Sequence, residues 1–201
     1  KWLNPGRQIQ FINSDYAISV QKFGDQLNIK SANYIFWNGV MTYGKETGNY
    51  RFIGVYPDYV NVENATIVQG RFINENDLKN SEKVTVIGQK VKLDLFKEKN
   101  PIGEQLVINN ITFKVVGVFT DPAGEREESR VYLPITTTQQ AFGVGDKISN
   151  LDFTLTKKDT YEEALAQSTK FTEELGQLLR SKNIIAPDDE SAIGIKKKKK
   201  N

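Results

Sequence analysis

The strongest constraint on the fold lies near the middle of the chain, where only Asn109-Asn110 separates two runs of β-forming residues. The first run is Leu106 to Ile108, and the second, Ile111 to Phe119, is rich in Val and Phe. Asparagine tolerates the positive φ angles that a two-residue turn requires at both central positions. The pattern therefore predicts a tight antiparallel hairpin, and Pro101-Ile102-Gly103 predicts the turn that leads into it.

The N-terminal end of the chain shows the order strand, helix, strand. Weak alternation over Arg7 to Ile12 predicts a short strand. Ser14 offers an N-cap for a helix that runs to about Phe23. Asn28 to Tyr43 is rich in Ile, Tyr, Phe, Trp and Val, as a long strand would be.

The C-terminal end shows the same order. Leu151 to Thr156 alternates with period two and predicts a strand. Thr160 and Glu163 form a capping box, which predicts a helix from there to about Lys182. A short strand is predicted around Ala192 to Ile195. Positions of the helix that recur three and four residues apart predict one apolar stripe, which Leu165 and Leu179 widen: Tyr161, Ala164, Ser168, Phe171, Leu175 and Leu178.

The segment between these ends has a different order of predicted strands and helices. Strands are predicted at Asn49 to Tyr56, Lys83 to Ile87 and Val131 to Pro134, helices at Asn74 to Lys79 and after Gly88, and an exposed polar loop at Asp121 to Arg130. The simplest architecture is an α+β fold with two subdomains. Paired βαβ segments from both chain ends, residues 1–46 and 150–201, form one subdomain, and residues 47–149 form an inserted mixed α/β subdomain.

The formal charge of +2 hides an asymmetry, because Lys196 to Lys200 hold five of the 27 Lys and Arg residues. Without them the balance is 27 − 5 = 22 basic against 25 acidic residues, or −3. A mildly acidic body argues against nucleic acid as a partner. The lysine run has three interpretations: a solvated end, an anchor to anionic lipid, or a nucleic-acid arm.

No apolar run approaches the ~18–20 residues of a membrane helix, so we expect no bilayer span within this sequence.

The sequence lacks the commonest catalytic side chains, since it contains neither cysteine nor histidine. A thiolate nucleophile, a Cys/His zinc site and a histidine general base are therefore excluded. Gly143-Val144-Gly145 is only a weak match to a phosphate loop. The carboxylates of Glu127-Glu128, Glu173-Glu174 and Asp188 to Glu190 are adjacent in sequence and diverge in direction, which favours solvated faces over an acid–base pair. We expect no catalytic residue, cofactor or metal site; a carboxylate-dependent hydrolase is the remaining enzymatic alternative.

An aromatic-rich region lies in the predicted long strand and contains Tyr34, Trp37 and Tyr43. Aromatic residues in a strand usually pack in the core of a sheet, but an exposed subset can form a partner surface. We therefore name these three as the candidate partner-surface residues. From the residues alone, the chain is a non-catalytic α+β module of unknown partner, and an open groove at these residues could hold a peptide or lipid.

Seven short fragments, in order over residues 54–134, resemble the periplasmic core domain of MacB-like ABC transporter permeases. That domain is shared in general form with the lipoprotein-releasing LolC/LolE permeases. The fragments are Gly54 to Tyr59, Gln69 to Phe72, Lys83 to Gly88, Leu95-Phe96, Pro101 to Gly103, Phe113 to Val118 and Val131 to Pro134. The resemblance covers residues from Gly54 to about Phe142 well, and the flanks by pattern.

The resemblance implies a domain inserted between the first and second membrane helices of a permease with four. It implies a periplasmic location at the bacterial inner membrane, and a paired βαβ subdomain, called Porter, that carries an insertion called Sabre. Permeases of this family form homodimers or heterodimers and work with an ABC ATPase domain or subunit. Some engage a membrane-fusion adaptor and export drugs or peptides, and others extract lipoproteins. The implied role of the domain is non-catalytic: to transmit conformational change and to dock an adaptor or substrate.

Overall fold

The computed structural model describes residues 8–183, 185 and 193–195. Its strands are β1 (Phe11–Ile12), β2 (Leu27–Tyr43), β3 (Glu46–Val55), β4 (Thr66–Gly70), β5 (Val84–Gly88), β6 (Gln105–Ile108), β7 (Ile111–Thr120), β8 (Arg130–Pro134), β9 (Lys147–Ile148) and β10 (Asn150–Leu155). Its helices are α1 (Asn13–Phe23), α2 (Glu75–Lys79), α3 (Gln89–Phe96), α4 (Glu125–Glu128), α5 (Ile135–Ala141) and α6 (Tyr161–Lys182). The predicted α+β class is confirmed. The chain divides into a terminal unit, up to residue 28 and from residue 154 onwards, and a middle unit, residues 29–153.

The middle unit begins before residue 47, where the sequence placed the subdomain boundary. Strand β2 pairs antiparallel with β3 from Asn33↔Val55 to Tyr43↔Glu46. It also pairs with β6 at Met41↔Ile108. Because these hydrogen bonds tie most of β2 to its neighbours in the sheet, the compact unit starts at residue 29. The division into Porter and Sabre subdomains stays a prediction.

Helix α1 of the terminal unit begins at Asn13, and the prediction that Ser14 caps it is wrong, because Ser14 lies inside the first turn. Asp15 supplies the cap instead. Its carboxylate accepts a hydrogen bond from the backbone N–H of Ile12 at 2.9 Å. The same buried carboxylate also accepts from Lys182 Nζ at 2.9 Å and from Asn183 Nδ2 at 3.3 Å. Asp15 thereby ties the start of α1 to the end of α6.

Helix α6 buries its apolar stripe over only part of its length. Its predicted start is confirmed, since the Thr160 side chain accepts from the backbone N–H of Glu163 at 3.2 Å. In the second half Phe171 is buried and meets the ring of Phe23 edge-on, with 5.2 Å between ring centroids. In the first half Tyr161 is 78% exposed, so the predicted apolar stripe faces solvent there. Helix α1 has 11 residues against 22 in α6 and is too short to cover all of it.

The middle unit is organised by a closed circuit of strand pairings. Strand β2 pairs with β3, β3 with β8, β8 with β5, β5 with β7, β7 with β6, and β6 again with β2. The β3–β8 and β5–β7 pairings are parallel and the others antiparallel. Strands β4 and β10 extend the sheet beside β7 and β2. Closure gives each of the six strands a hydrogen-bonded neighbour on both sides.

The hairpin predicted at Asn109-Asn110 is confirmed. The two residues have φ angles of +50° and +62°, and Ile108 pairs with Ile111 directly beside the turn. The side-chain amide of Asn109 also donates to the carbonyl of Ala141 at 2.7 Å. The chain can therefore reverse in two residues, which brings β6 between β7 and β2.

Two apolar clusters, one around Phe52 and one around Tyr132, fix the position of the β2–β3 pair. The larger cluster includes Phe52, Leu106, Phe113 and Leu133 together with the buried side of α3. The second cluster includes Ile53, Val55, Tyr59 and Phe119 around Tyr132. Phe52 and Ile53 are neighbours in β3 and belong to different clusters, so a one-residue shift in the register of β3 would move each side chain out of its cluster.

The segment from Asp121 to Arg130 is only partly the exposed loop that its polarity predicted, since residues 122, 123, 125 and 126 are exposed and the others are buried or half-buried. Asp121 is buried and accepts from the backbone N–H of Ala123 at 2.9 Å. The short helix α4 follows, and its Glu128 carbonyl lies so close to Gly88 that an added Cβ there would come within 1.9 Å of the oxygen. Local turn bonds and this close approach hold the segment against the sheet.

The C-terminal end departs from the predicted strand where the structure describes it. Residues 193–195 form no strand, so that part of the predicted strand is wrong, and Ala192 lies outside the described residues. Lys196 to Lys200 and Asp188 to Glu190 also lie outside them. None of the helices among the described residues combines the length and hydropathy that crossing a bilayer requires.

Candidate partner-binding surface

A β-bulge in strand β2 creates the most exposed aromatic residue of the middle unit. Phe36 pairs with Phe52 and Gly39 pairs with Tyr50, so two residues of β2, Trp37 and Asn38, lie opposite the single Arg51 of β3. Asn38 adopts the positive φ of +61° that this insertion requires. A Cβ on Gly39 would lie 2.1 Å from the ring of Phe52, so only glycine fits there.

The bulge directs Trp37 outward, and its side chain is 61% exposed. The guanidinium carbon of Arg51 lies 5.1 Å from the centroid of the Trp37 ring, within the range of a cation–π contact. This contact joins an exposed aromatic residue to the positive charge of the strand beside it. Trp37 is thus held in place by the sheet without being buried in it.

Three arginines come together next to Trp37. The parallel register of β3 and β8 places Arg51 directly beside Arg130. Arg130 is paired, with its guanidinium 3.5 Å from Glu63 and 3.7 Å from Glu127. Within residues 8–183, neither Arg51 nor Arg126 forms an ion pair. Partial burial, followed by the nearby charges of Arg130 and Arg126, lowers the pKa of Arg51 below its ordinary value.

These side chains line an open hollow of about 230 Å³ on the middle unit. Its lining consists of Trp37, Asn38, Asn49, Tyr50, Arg51, Arg126 and Ser129. The lining contains two guanidinium groups, two side-chain amides and no carboxylate. The Tyr50 hydroxyl is already engaged, since it donates to Asp94 at 2.9 Å. We call this set of seven residues the Trp37 hollow.

The other two predicted partner-surface residues are not part of the Trp37 hollow. Tyr43 stacks on Phe96 with 4.1 Å between ring centroids. Its hydroxyl donates to Glu104 at 3.1 Å and accepts from Lys99 at 2.8 Å. Tyr34 is half-buried opposite Gly54 in the β2–β3 ladder. A partner-binding role for Tyr34, Trp37 and Tyr43 stays a prediction, and Trp37 is the one whose aromatic ring is largely open to solvent.

The remaining sequence motifs have local structural explanations. Gly143 and Gly145 adopt φ angles of +60° and +68° in the turns that follow α5, which is a geometry that favours glycine. Across the described residues, no group of three or more Asp or Glu side chains is placed to hold a metal ion. A wider open depression of about 620 Å³ at the start of α6 is lined by solvated charged side chains and one alanine.

The comparison with protein families decides the identity of the fold. The model of the MacB-like periplasmic core domain matches residues 3–171 of the chain. The chain belongs to this family. The predicted resemblance, made from seven fragments over residues 54–134, is therefore confirmed and extends over both flanks.

Relatives of this MacB-like domain include several transporter proteins. A macrolide export ATP-binding/permease protein MacB of Bdellovibrio bacteriovorus is 34% identical over 102 residues, covering 49% of the chain and 16% of the relative. The uncharacterized ABC transporter permease YknZ of Bacillus subtilis is 28% identical over 141 residues, covering 66% of the chain and 35% of the relative. The match therefore spans well under half the length of these relatives.

Two solved structures of transporter domains have the same fold as this chain. The extracellular domain of the ABC-type transporter YknZ from Gram-positive bacteria superposes with a TM-score of 0.75 at 19% identity, covering 92% of this chain and 88% of that one. The periplasmic region of MacB from Actinobacillus actinomycetemcomitans gives a TM-score of 0.72 at 23% identity, covering 86% and 75%. At these identities the likeness establishes the fold of the MacB-like domain.

Sequence reasoning missed the arginines of the Trp37 hollow. Arg51 was part of a predicted strand and Arg126 part of a predicted loop, 75 residues apart in number. The β3–β8 pairing, which puts Arg51 beside Arg130, brings the segment that precedes β8 next to β3. The sequence alone carries no signal for that parallel pairing, because hydrophobic periodicity indicates that a segment is a strand and does not identify its neighbour in the sheet.

Proposed function

We propose that this chain is the extracytoplasmic domain of an ABC transporter permease, and that it transmits conformational change and docks an adaptor or substrate. The observation that carries the proposal is the family match over residues 3–171, together with the transporter names of the relatives. The domain lies on the periplasmic side of the bacterial inner membrane. Its permease forms a homodimer or heterodimer and works with an ABC ATPase domain or subunit outside this chain.

The closed circuit of strands supports a role in transmitting motion. In a closed circuit no strand can separate without breaking hydrogen bonds on both of its sides. Two packed apolar clusters lie against the sheet, and packed cores transmit strain because they compress little. The middle unit is therefore suited to move as a rigid body when the membrane part of the permease moves.

The Trp37 hollow supports the docking part of the proposal. Exposed tryptophan and arginine residues are typical of the points at which protein interfaces gain most of their binding energy. The exported cargo belongs to the family's range of drugs, peptides or lipoproteins. A membrane-fusion adaptor is the proposed protein partner on the periplasmic side.

The gene that encodes the chain provides the first test. The proposal requires hydrophobic segments of about 20 residues on both sides of the encoded domain, as membrane helices need. It also requires that the full-length product form a complex with an ABC ATPase, measured by copurification of the two coexpressed proteins from detergent-solubilised membranes. A gene without flanking hydrophobic segments would exclude the permease.

A stand-alone extracytoplasmic module that binds a peptide or lipid is the second candidate function. The solvent-exposed ring of Trp37 favours it, because an aromatic platform beside unpaired arginines is a binding feature in its own right. The same gene separates the two candidates. The module requires a secretory signal without further membrane segments and no ATPase partner.

A further inference from the structure

We propose that the Trp37 hollow docks an acidic segment of a partner protein, whose carboxylate side chains bind Arg51 and Arg126 while an apolar side chain packs on the Trp37 indole. The inference deepens the docking role proposed above and rests on it for the biological partner. It adds to that role the surface that binds and the chemistry of the partner segment.

The placement of the arginines is unfavourable for the fold on its own. Like charges at directly paired positions of neighbouring strands destabilise a sheet, and Arg51 lies in register with Arg130. Arg130 is compensated by Glu63 and Glu127. Arg51 and Arg126 have no carboxylate partner anywhere in residues 8–183. An incoming carboxylate would supply the compensation that these two groups lack.

The chemistry of the hollow fits a carboxylate better than a simple positive patch would. A guanidinium presents its N–H groups as a planar fork that matches the two oxygens of a carboxylate. The amides of Asn38 and Asn49 add hydrogen-bonding groups at the rim of the same hollow. The indole face of Trp37, left open by the bulge, adds apolar contact area beside the charges.

The shape of the hollow favours a segment of a protein over an enclosed small molecule. Small-molecule sites are typically clefts of about 300–1,000 Å³ that bury most of the ligand. The Trp37 hollow has about 230 Å³ and opens widely to solvent. It can receive one or two side chains of a segment whose backbone stays outside.

Titration by NMR with a defined peptide tests the inference on the 201-residue chain. The probe is an acetylated and amidated hexapeptide of alternating Glu and Leu, and the control peptide has Gln in place of Glu. We expect saturable shifts of the Trp37 indole N–H and Arg51 Nε–H signals with the Glu peptide only. In the double variant Arg51→Gln with Arg126→Gln, affinity should fall at least about tenfold.

A matched variant controls for the loss of charge. Lys45 and Lys79 are exposed residues of the middle unit, and Lys45→Gln with Lys79→Gln removes the same charge away from the hollow. This variant should bind the Glu peptide within about twofold of the unsubstituted chain. Backbone amide spectra that match outside the hollow establish that each variant is folded.

Three outcomes would overturn the inference. They are equal affinity in the arginine double variant, equal binding of the Gln peptide, and shifts that map away from the hollow. Sedimentation with phosphatidylglycerol vesicles that depends on Arg51 and Arg126, without peptide binding, would also overturn it and assign the surface to lipid. None of these outcomes bears on the flanking segments of the gene, so the permease proposal would stand or fall separately.

Discussion

The carboxylate of Asp15 is fully buried and accepts hydrogen bonds from Ile12, Lys182 and Asn183. Replacing it by alanine leaves a buried backbone N–H and a half-buried ammonium without their acceptor. Loss of one partner from such a group costs roughly 2–4 kcal/mol, and we expect Asp15→Ala to lower the free energy of unfolding by about that amount. Urea denaturation measures the change. The exposed Asp25 of the same unit provides the control, and equal losses in Asp15→Ala and Asp25→Ala would contradict the assigned role.

Trp37 and Tyr43 lie on the same strand but have different surroundings, and alanine substitutions should separate them. Trp37 is 61% exposed, so Trp37→Ala should change the free energy of unfolding by less than about 0.5 kcal/mol. Tyr43 stacks on Phe96 within the larger apolar cluster, so Tyr43→Ala should cost about 2 kcal/mol. Thermal and urea unfolding of the two variants make the comparison. A destabilisation as large in Trp37→Ala as in Tyr43→Ala would show that Trp37 is a structural residue.

At the scale of secondary-structure elements, the β6–β7 hairpin depends on two residues with positive φ. Asn110 has φ +62° and its side chain forms no hydrogen bond within the described residues, whereas the Asn109 amide donates to the Ala141 carbonyl. Glycine fits such a position without strain, but a β-branched residue does not. We expect Asn110→Gly to be neutral or slightly stabilising, and Asn110→Val to cost about 1–2 kcal/mol. Chemical denaturation of both variants measures this, and a tolerated valine would refute the turn geometry.

Much of the local structure could be predicted because it depends on neighbours in sequence. The hairpin at Asn109-Asn110 and the capping of α6 by Thr160 follow from turn and cap chemistry within four residues. Predictions failed where segments distant in the sequence determine the local structure. Ser14 gave way to Asp15 because the Asp15 carboxylate also binds Lys182, far along the chain. Tyr161 stays exposed because α1 is only half as long as α6.

The candidate site was predictable only in part for the same reason. An aromatic strand indicated that Tyr34, Trp37 or Tyr43 could face a partner, but periodicity cannot show a bulge. The insertion of Trp37-Asn38 opposite Arg51 is a property of the β2–β3 register. The approach of Arg126 depends on the placement of α4 against β5. Neither can be read from one strand alone.

At the scale of the whole molecule, buried tyrosines predict how stability changes with pH. Burial is the main cause that raises the pKa of Tyr56 and of Tyr132 from the ordinary value of 10.0 to about 12. Burial also raises the pKa of Tyr50 and of Tyr59 above 10.0. In the unfolded chain these hydroxyls ionise near pH 10, while in the folded chain they stay neutral. The stabilisation that comes from keeping these hydroxyls neutral is therefore fully present below pH 10 and is lost as pH rises above it. For Tyr56 and for Tyr132 the loss is about 1.4 kcal/mol per pH unit until the folded-state pKa of about 12 is reached.

Unfolding midpoints in urea between pH 9 and pH 12, together with the near-ultraviolet absorbance of phenolate, measure this loss. Tyr132→Phe keeps the ring and removes one titrating hydroxyl, so its stability should fall less steeply with pH. A chain whose stability is flat across this range, or a Tyr132→Phe variant with an unchanged slope, would contradict the assigned burial.

The proposed role of this MacB-like domain requires that it move with the ATPase cycle of a permease. These 201 residues contain no cysteine, so Lys45→Cys at the exposed β2–β3 turn gives one specific spin-label site in the domain once any cysteine elsewhere in the full-length permease is replaced by serine. Double electron–electron resonance on the dimeric permease–ATPase complex in nanodiscs then measures the distance between the two labelled domains. We predict that this distance distribution shifts between the nucleotide-free complex and the complex trapped with ADP and vanadate. The same distribution in both states, from a complex with measured ATPase activity, would contradict the claim.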